Sequence, residues 1–132
     1  GKEMTQNALW QLFRSRYGLM PSGHFTLQTY RSESLQDGQL RLAASVVIDG
    51  GTRQLEGQGN GLLSAAANGI SRWLDKPFVI KDYHEHSLGE RSDSRSVAYI
   101  RCLFQDGTSR WGVGIDSDVA RASIQALFNA VG

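Results

Sequence analysis

The hydrophobic residues of the chain recur at two spacings, which predict strands and helices. Between residues 39 and 49, Leu40, Leu42 and every second residue up to Ile48 are apolar, a period of two that is typical of a half-buried strand. The turn sequences Asp37-Gly38 and Asp49-Gly50-Gly51 flank this run and suit hairpins. The pattern therefore predicts antiparallel strands at residues 24–34, 39–49 and 52–56.

A helical spacing follows these strands. Residues 62–74 carry one apolar stripe, formed by Leu62, Leu63, Ala66, Ile70, Trp73 and Leu74. The same order then returns, with strands predicted at residues 78–88, 96–105 and 109–113 and a helix that Asp116 or Ser117 caps. We therefore expect an α+β fold of two strand–strand–strand–helix repeats, at about 24–75 and 76–132, with helices packed on mainly antiparallel sheets.

The opening segment has a helical pattern of its own. Apolar residues recur at helical spacing within residues 5–17, where Thr5 suits an N-cap and Gly18 a stop. Pro21 lies in the short connector that follows. Because the chain begins with Gly1 rather than Met, we expect it to be a piece of a longer polypeptide. The residues alone leave open whether this first helix belongs to the core or connects to an upstream part.

Composition and charge exclude several classes of protein. Of the 132 residues 40% are hydrophobic and 20% charged, which is ordinary for a folded domain and argues against disorder. The formal net charge of +1 supplies no field for nucleic acid or acidic membranes, and no apolar run approaches the roughly 20 residues of a membrane span. A lone cysteine, Cys102, favours a reducing compartment, so we expect a cytoplasmic protein with no nucleic-acid or membrane partner.

Fifteen glycines against two prolines are the unusual feature of the composition. Gly57-Gln58-Gly59 and Gly112-Val113-Gly114 share one spacing, and we expect each to form a turn between a short strand and a helix. Such glycines serve either a tight turn alone or a site where backbone N–H groups ahead of a helix bind a carboxylate. A dinucleotide site, with Asp82 on the ribose, is disfavoured because Leu62 replaces the third glycine and the sheet is antiparallel.

A cluster of polar residues in the fourth predicted strand raises the question of a metal. Asp82, His84 and His86 share one strand face and could bind zinc or iron, although a polar strand at an interface is the more ordinary interpretation. The one remaining histidine, His24, lies in another predicted strand, and no second cysteine completes a ligand set. Patterns for a nucleophilic serine, a phosphate loop or a cysteine protease are also missing, and Cys102 fits a buried small hydrophobe. The residues favour a small-molecule-binding or assembly module without catalytic residues.

Four motifs occur in an order that resembles a known family. They are Gly57-x-Gly59-Asn60-Gly61, Asp82-Tyr83-x-Glu85-His86, Asp93 through Ala98-Tyr99, and 111–116 with the sequence Trp-Gly-Val-Gly-Ile-Asp. Together they closely resemble the C-terminal regulatory domain of 2-isopropylmalate synthase, which also occurs in citramalate synthases. The resemblance implies two repeats related by a pseudo-twofold axis, a homodimer, and binding of L-leucine as feedback inhibitor. It implies that residues 1–23 are a linker helix and connector from an upstream part of the polypeptide. It also implies an acyltransferase parent that joins acetyl-CoA to 2-oxoisovalerate in a catalytic domain with a divalent metal; for residues 1–132 it implies no cofactor.

The resemblance places an effector pocket on two walls. Carried over by position, its residues are Gly59, Asn60, Gly61, Leu63 and Ser64 at the first helix start, then Ile80, Tyr83, Ser87 and Ser94, with Ile115 nearby. Backbone amides would hold the carboxylate, while Leu63, Ile80 and Tyr83 would bury the isobutyl group. The sequence departs from the family at Leu62, where proline is usual. Ser64, Ser87 and Ser94 depart as well, since alanine is common at these three positions.

Three alternatives remain open on the sequence. The first is the regulatory domain of a citramalate synthase that binds isoleucine. The second is a purely structural dimerisation module whose effector site has decayed, which the departures at Leu62 and Ser64 favour. The third is a metal-dependent enzyme that uses Asp82, His84 and His86.

Overall fold

Two three-stranded antiparallel sheets, each followed by a helix, make up the fold. The computed structural model describes residues 24–88 and 95–132. The first unit contains β1 (Phe25–Ser34), β2 (Leu40–Ile48), β3 (Gly51–Gly59) and α1 (Leu62–Ser71). The second contains β4 (Phe78–Leu88), β5 (Arg95–Phe104), β6 (Ser109–Asp116) and α2 (Val119–Val131). The predicted α+β fold with two such units is confirmed, whereas the predicted linker helix and connector lie outside the described residues.

The strands pair in chain order within each sheet, β1-β2-β3 and β4-β5-β6. The turn sequences act as predicted. Asp37 and Gly38 both adopt positive φ, 60° and 72°, in the one-turn 3-10 helix between β1 and β2. That left-handed geometry suits a short Asp-Gly connection, because aspartate tolerates it and glycine adopts it freely.

One hydrophobic core lies between the sheets and the helices. We call the face of each sheet toward its helix the inner face. Leu42, Ala44 and Val46 of β2 lie on the first inner face and are at most 2% exposed. Ala98, Ile100 and Cys102 of β5 lie on the second and are fully buried. All six belong to the same cluster as Ile70 of α1 and Phe128 of α2, so the two units fold on a shared core.

The glycines before each helix lie in strands rather than in turns, which corrects the prediction. β3 continues through Gly57 and Gly59 to the start of the helix, and β6 likewise includes Gly112 and Gly114. All four are buried. A Cβ atom on Gly57 would lie 2.7 Å from the Gly69 nitrogen, and one on Gly114 would lie 2.7 Å from the Ala126 nitrogen. These glycines are therefore needed because each helix packs directly against its strand.

The strand registers also correct the predicted alignment of the two repeats by two residues. Leu42 pairs with Gly57, and the corresponding Ala98 pairs with Gly114, so Gly57 is equivalent to Gly114 and not to Gly112. The same offset makes Leu55 equivalent to Gly112. Gly69 of α1 leaves room for the Leu55 side chain, since a Cβ on Gly69 would lie 2.7 Å from Leu55 Cδ2.

The first strands of the two units correspond as well. A register shift follows Leu27 in β1 and Ile80 in β4, and in each strand the third residue after that position is a tyrosine. Tyr30 and Tyr83 are thus equivalent, a correspondence that the glycine spacing alone does not reveal.

Helix boundaries differ from the prediction at two points. α1 ends at Ser71 instead of Leu74. Asp118, and not Asp116 or Ser117, is the N-cap of α2, because β6 continues to Asp116 and moves the helix start along the chain. Neither described helix is long and apolar enough to cross a membrane.

Polar side chains of α2 bond to the main chain of β1 and hold the units together. Gln125 accepts from the Leu27 N–H at 2.8 Å and donates to the Phe25 carbonyl at 2.9 Å. Arg121 donates to the Leu27 and Gln28 carbonyls at 3.2 and 3.1 Å. Main-chain groups at the beginning of β1, from Phe25 to Gln28, thereby gain hydrogen-bond partners outside the sheet, as an edge strand requires.

Candidate functional site

The start of α1 presents backbone N–H groups that no described residue satisfies. Gly61 is the N-cap, with an extended backbone and no side chain to accept hydrogen bonds. The first N–H with a partner is that of Ala65, which donates to the Gly61 carbonyl at 2.9 Å. Within the described ranges nothing accepts from the N–H groups of residues 62–64. Because a helix N-terminus also carries partial positive charge, this turn is suited to a carboxylate.

The start of α2 holds a carboxylate of its own at the equivalent position. Asp118 accepts from the Ala120 N–H at 2.9 Å and from the Arg121 N–H at 3.4 Å. Tyr30 donates to its other oxygen at 2.8 Å. The Tyr30 hydrogen bond, with the two backbone N–H groups, lowers the pKa of the Asp118 carboxyl against the opposing effect of burial. The two helix starts therefore differ by one carboxylate, which Gly61 lacks and Asp118 supplies.

The inner face of β4 forms the second wall of the predicted pocket. Ile80 is half-buried and packs against the shared core, and Tyr83, Glu85 and Ser87 follow on the same face with exposed side chains. The Tyr83 hydroxyl lies 2.7 Å from Glu85 Oε2 and 2.7 Å from Ser123 Oγ. Tyr83 thus bridges β4 to α2.

Proton counting shows that the hydrogen bonds around Tyr83 compete. Tyr83 donates to Glu85, so Ser123 must donate to Tyr83. The Ser123 hydroxyl also lies 2.9 Å from the Val119 carbonyl oxygen, and in that contact the hydroxyl must be the donor because a carbonyl oxygen only accepts. The Tyr83 and Ser123 hydroxyls thus have two protons for three oxygen–oxygen contacts, so the three hydrogen bonds cannot all form at once. Burial raises the pKa of the Tyr83 hydroxyl, Ser123 opposes that change and Glu85 adds to it, so the hydroxyl stays protonated.

The structure gathers the predicted residues into two groups and separates Ile115 from both. Gly59, Asn60, Gly61, Leu63 and Ser64 surround the start of α1, and Ile80, Tyr83 and Ser87 lie on the inner face of β4. Leu63 and Ile80 pack against the same core cluster. Among the described residues no hydrogen bond joins the two groups. Ser94 lies outside the described residues.

Ile115, which was predicted to lie near the pocket, is not brought together with either group in the structure. Ile115 pairs with Val97 and packs with Tyr99 and Val113 on the outer face of the second sheet. The sheet itself separates Ile115 from Tyr83. β6 extends to Asp116, and the alternation of that longer strand turns residue 115 away from the helix.

Asp82, His84 and His86 lie on the outer face of β4 but interact with different neighbours. Asp82 forms an ion pair with Arg101, and His84 stacks on Trp111 with ring centroids 6.3 Å apart. His86 is buried beside Tyr99, and this burial lowers the pKa of its imidazole. Over the described part of the chain, no group of three or more His, Cys, Asp or Glu side chains is placed to hold a metal ion.

A cavity of about 520 Å³ lies between the segment after α1 and the β5–β6 turn. Lys76 and Asp106 form an ion pair of 2.8 Å at its rim, and Phe104 and Val131 contribute apolar surface. None of the predicted effector residues lines this cavity. Sequence reasoning missed it, because the ion pair joins residues 30 positions apart.

Comparison of the chain with known proteins identifies its family. The model of the LeuA allosteric (dimerisation) domain matches residues 3–132. The chain belongs to the LeuA allosteric (dimerisation) domain family. The sequence resemblance is thereby confirmed, and membership gives the chain a regulatory and dimerisation role.

Curated relatives of this LeuA domain carry the name 2-isopropylmalate synthase. Alignments cover 98–99% of the chain in 2-isopropylmalate synthases from Marinomonas sp. (strain MWYL1), 39% identical, and Thermobifida fusca (strain YX), 36% identical. A third, from Arthrobacter sp. (strain FB24), is 34% identical over 99% of the chain. The chain spans only 22–24% of the length of these relatives.

Proposed function

We propose that this regulatory domain binds L-leucine and thereby mediates feedback inhibition of a 2-isopropylmalate synthase. Family membership and the names of the relatives support leucine over the isoleucine of a citramalate synthase domain. The effector carboxylate would bind the N–H groups at the start of α1, and its side chain would lie toward Leu63, Ile80 and the ring of Tyr83.

The observation that carries this proposal is the difference between two equivalent helix starts. In the second unit the Asp118 carboxylate accepts from the helix N–H groups, and its helix needs no external anion. In the first unit Gly61 stands at that position with nothing within 4 Å of where its Cβ would be, which leaves room for a ligand carboxylate. The second unit would then serve mainly the fold.

The affinity and selectivity of such a site follow from a small apolar side chain. Burying the four carbons of the isobutyl group contributes about 3 kcal/mol at ~0.8 kcal/mol per carbon. One methylene fewer, as in valine, lowers binding by only about 1–3 kcal/mol. The proposal therefore expects weaker but measurable binding of valine.

The remainder of the proposal concerns the whole polypeptide. The domain would act as a homodimer in the cytoplasm, attached to a catalytic domain that joins acetyl-CoA to 2-oxoisovalerate with a divalent metal. The catalytic residues and the metal would belong to that other domain.

Gly61→Asp tests the proposal by placing a carboxylate of the protein where the carboxylate of leucine would bind. The new carboxylate would cap α1 as Asp118 caps α2, so we expect at least a tenfold loss of leucine affinity, about 1.4 kcal/mol, by titration calorimetry on the 132-residue chain. Folding should not suffer, because the site has open space and aspartate caps helices at least as well as glycine.

Gly61→Ala is the matched control, since it adds a Cβ at the same place without a carboxylate. It should keep leucine affinity within about threefold of the unmodified chain. No binding of leucine, isoleucine or valine at millimolar concentration by the unmodified chain would refute the proposal. Equal leucine affinity in the aspartate variant would place the carboxylate elsewhere.

A further inference from the structure

The proposed pocket lacks an assigned partner for one half of its ligand. An α-amino acid is a zwitterion, and the start of α1 complements only its carboxylate. The ammonium group needs an acceptor, preferably an ionised one, because a charge-assisted hydrogen bond is about twice as strong as a neutral one. The predicted site residues contain no carboxylate.

Glu85 supplies that carboxylate on the inner face of β4. It lies between Tyr83 and Ser87 on the same strand face, each about 7 Å away along the strand. Its cross-strand neighbour is Ala98, which is fully buried and too small to cover it. The Glu85 side chain is exposed and already accepts from the Tyr83 hydroxyl at 2.7 Å.

The charge of Glu85 is uncompensated within the described chain. The ion pairs there involve Glu33, Asp49, Asp82, Asp106 and Asp116, and Glu85 contacts none of the described cations. The unit-one counterpart of Glu85 is Ser32, two residues after Tyr30 as Glu85 is two residues after Tyr83. The negative charge is thus absent from the equivalent position of β1 and present only in β4, the strand that carries the second group of predicted pocket residues.

We infer that Glu85 binds the ammonium group of the effector and so restricts the site to α-amino acids. This inference rests on the proposed function, and it adds a residue that selects the ligand class. A carboxylic acid without the amine would leave Glu85 unpaired and bring a second negative charge close to it. The site would therefore reject 2-oxo and simple branched carboxylic acids of the same shape.

A cycle of ligand and protein changes tests the inference. The ligands are L-leucine and 4-methylpentanoate, which is leucine without its amine, and the proteins are the unmodified chain, Glu85→Gln and Glu56→Gln. Glu56 is an exposed carboxylate on β3, and its variant controls for net charge. Affinities come from NMR titration, which measures millimolar dissociation constants.

We expect the unmodified chain and Glu56→Gln to bind leucine at least tenfold more tightly than 4-methylpentanoate. Glu85→Gln should lose at least tenfold in leucine affinity while its affinity for 4-methylpentanoate is unchanged or improved. Tyr83→Phe, which removes the hydroxyl beside Glu85 and keeps the charge, should preserve the preference for leucine. That variant separates the carboxylate from its hydrogen-bond partner.

Two results would overturn the inference while leucine binding stands. One is an unchanged leucine affinity in Glu85→Gln, and the other is an equal loss for both ligands, which would mark Glu85 as structural. If the unmodified chain bound no leucine, the proposed function would fail and the assignment of Glu85 with it.

Discussion

At the scale of single residues, one carboxylate accounts for the difference between the two helix starts. Asp118 bonds to two backbone N–H groups and to the Tyr30 hydroxyl, and it thereby links the second unit to the first. Burial, with the Asp118 carboxylate beside it, raises the pKa of the Tyr30 hydroxyl, which stays a donor at neutral pH. Asp118 thus stabilises both its own helix and the contact between the units.

Asp118→Ala should destabilise the domain by about 0.5–2 kcal/mol, the range for loss of a helix N-cap. Urea denaturation at pH 7 measures this difference. Asp118→Asn keeps an acceptor at the cap and should fall at the lower end of the range. A stability equal to that of the unmodified chain in both variants would contradict the role assigned to Asp118.

The stabilisation by Asp118 depends on pH in a defined direction. Its pKa is lower in the folded than in the unfolded chain, where it is about 3.9. The charged form therefore stabilises the fold fully above that value, and this contribution is lost as the pH falls through the folded pKa. The stability difference between the unmodified chain and Asp118→Asn should accordingly shrink below about pH 4.

The residue types of the candidate site were predictable only in part. The family resemblance, carried over by position, supplied the two groups of residues around Gly61 and Tyr83 that the proposed pocket uses. The partners Asp118 and Ser123 were not predicted, because both approach the tyrosines from a helix 40 or more positions later in the chain. Local spacing carries no information on such contacts, and only the registers of the two sheets reveal them.

At the scale of elements, the packing of helix on strand decides where glycine is required. Alternation predicted all six strands and helical spacing predicted both described helices. The pattern could not distinguish a glycine in a turn from one beneath a helix, since both lack an apolar side chain. For the same reason the predicted third strand ended before Gly57, and the equivalent strand before Gly114.

Gly114→Ala should be strongly destabilising, because its Cβ would lie 2.7 Å from the Ala126 nitrogen and the backbone of α2 cannot yield without moving the helix. Overpacking of this kind lowers stability by about 1–3 kcal/mol or more. Thermal unfolding followed by circular dichroism measures the effect.

Gly51→Ala is the matched control for Gly114→Ala. Its Cβ would meet only the Ile48 carbonyl oxygen at an ordinary 3.7 Å. Replacing this strand glycine should leave stability unchanged or raise it by up to about 1 kcal/mol. Similar destabilisation in both variants would show that the close contact of Gly114 with the helix is not responsible.

At the scale of the whole molecule, the two units form one folding unit. They share a single core cluster, and α2 of the second unit bonds to β1 of the first. The repeat was visible in the sequence, but this contact was not, because Gln125 and Leu27 are 98 positions apart.

Gln125→Ala should weaken the contact between the units. It removes the acceptor of the Leu27 N–H and the donor to the Phe25 carbonyl, and each unpaired partly buried group costs about 1–3 kcal/mol. Hydrogen exchange should show a faster-exchanging Leu27 amide. Gln54→Ala, which loses only an exposed contact with Ser45, should leave that amide unchanged. Unchanged Leu27 protection in Gln125→Ala would contradict this account.

At one contact between strand and helix, the positions of the larger and the smaller residue are reversed between the two units. This reversal has a consequence for how the two units evolved. One unit places leucine on the strand and glycine on the helix, at Leu55 and Gly69, and the other places Gly112 opposite Ala126. If both units descend from one duplicated segment, a change at either position alone would have been destabilising. An intermediate with two large residues would clash, and one with two small residues would leave a void. The two positions must have evolved as a pair. A designer who wishes to make the halves identical must likewise transplant both together.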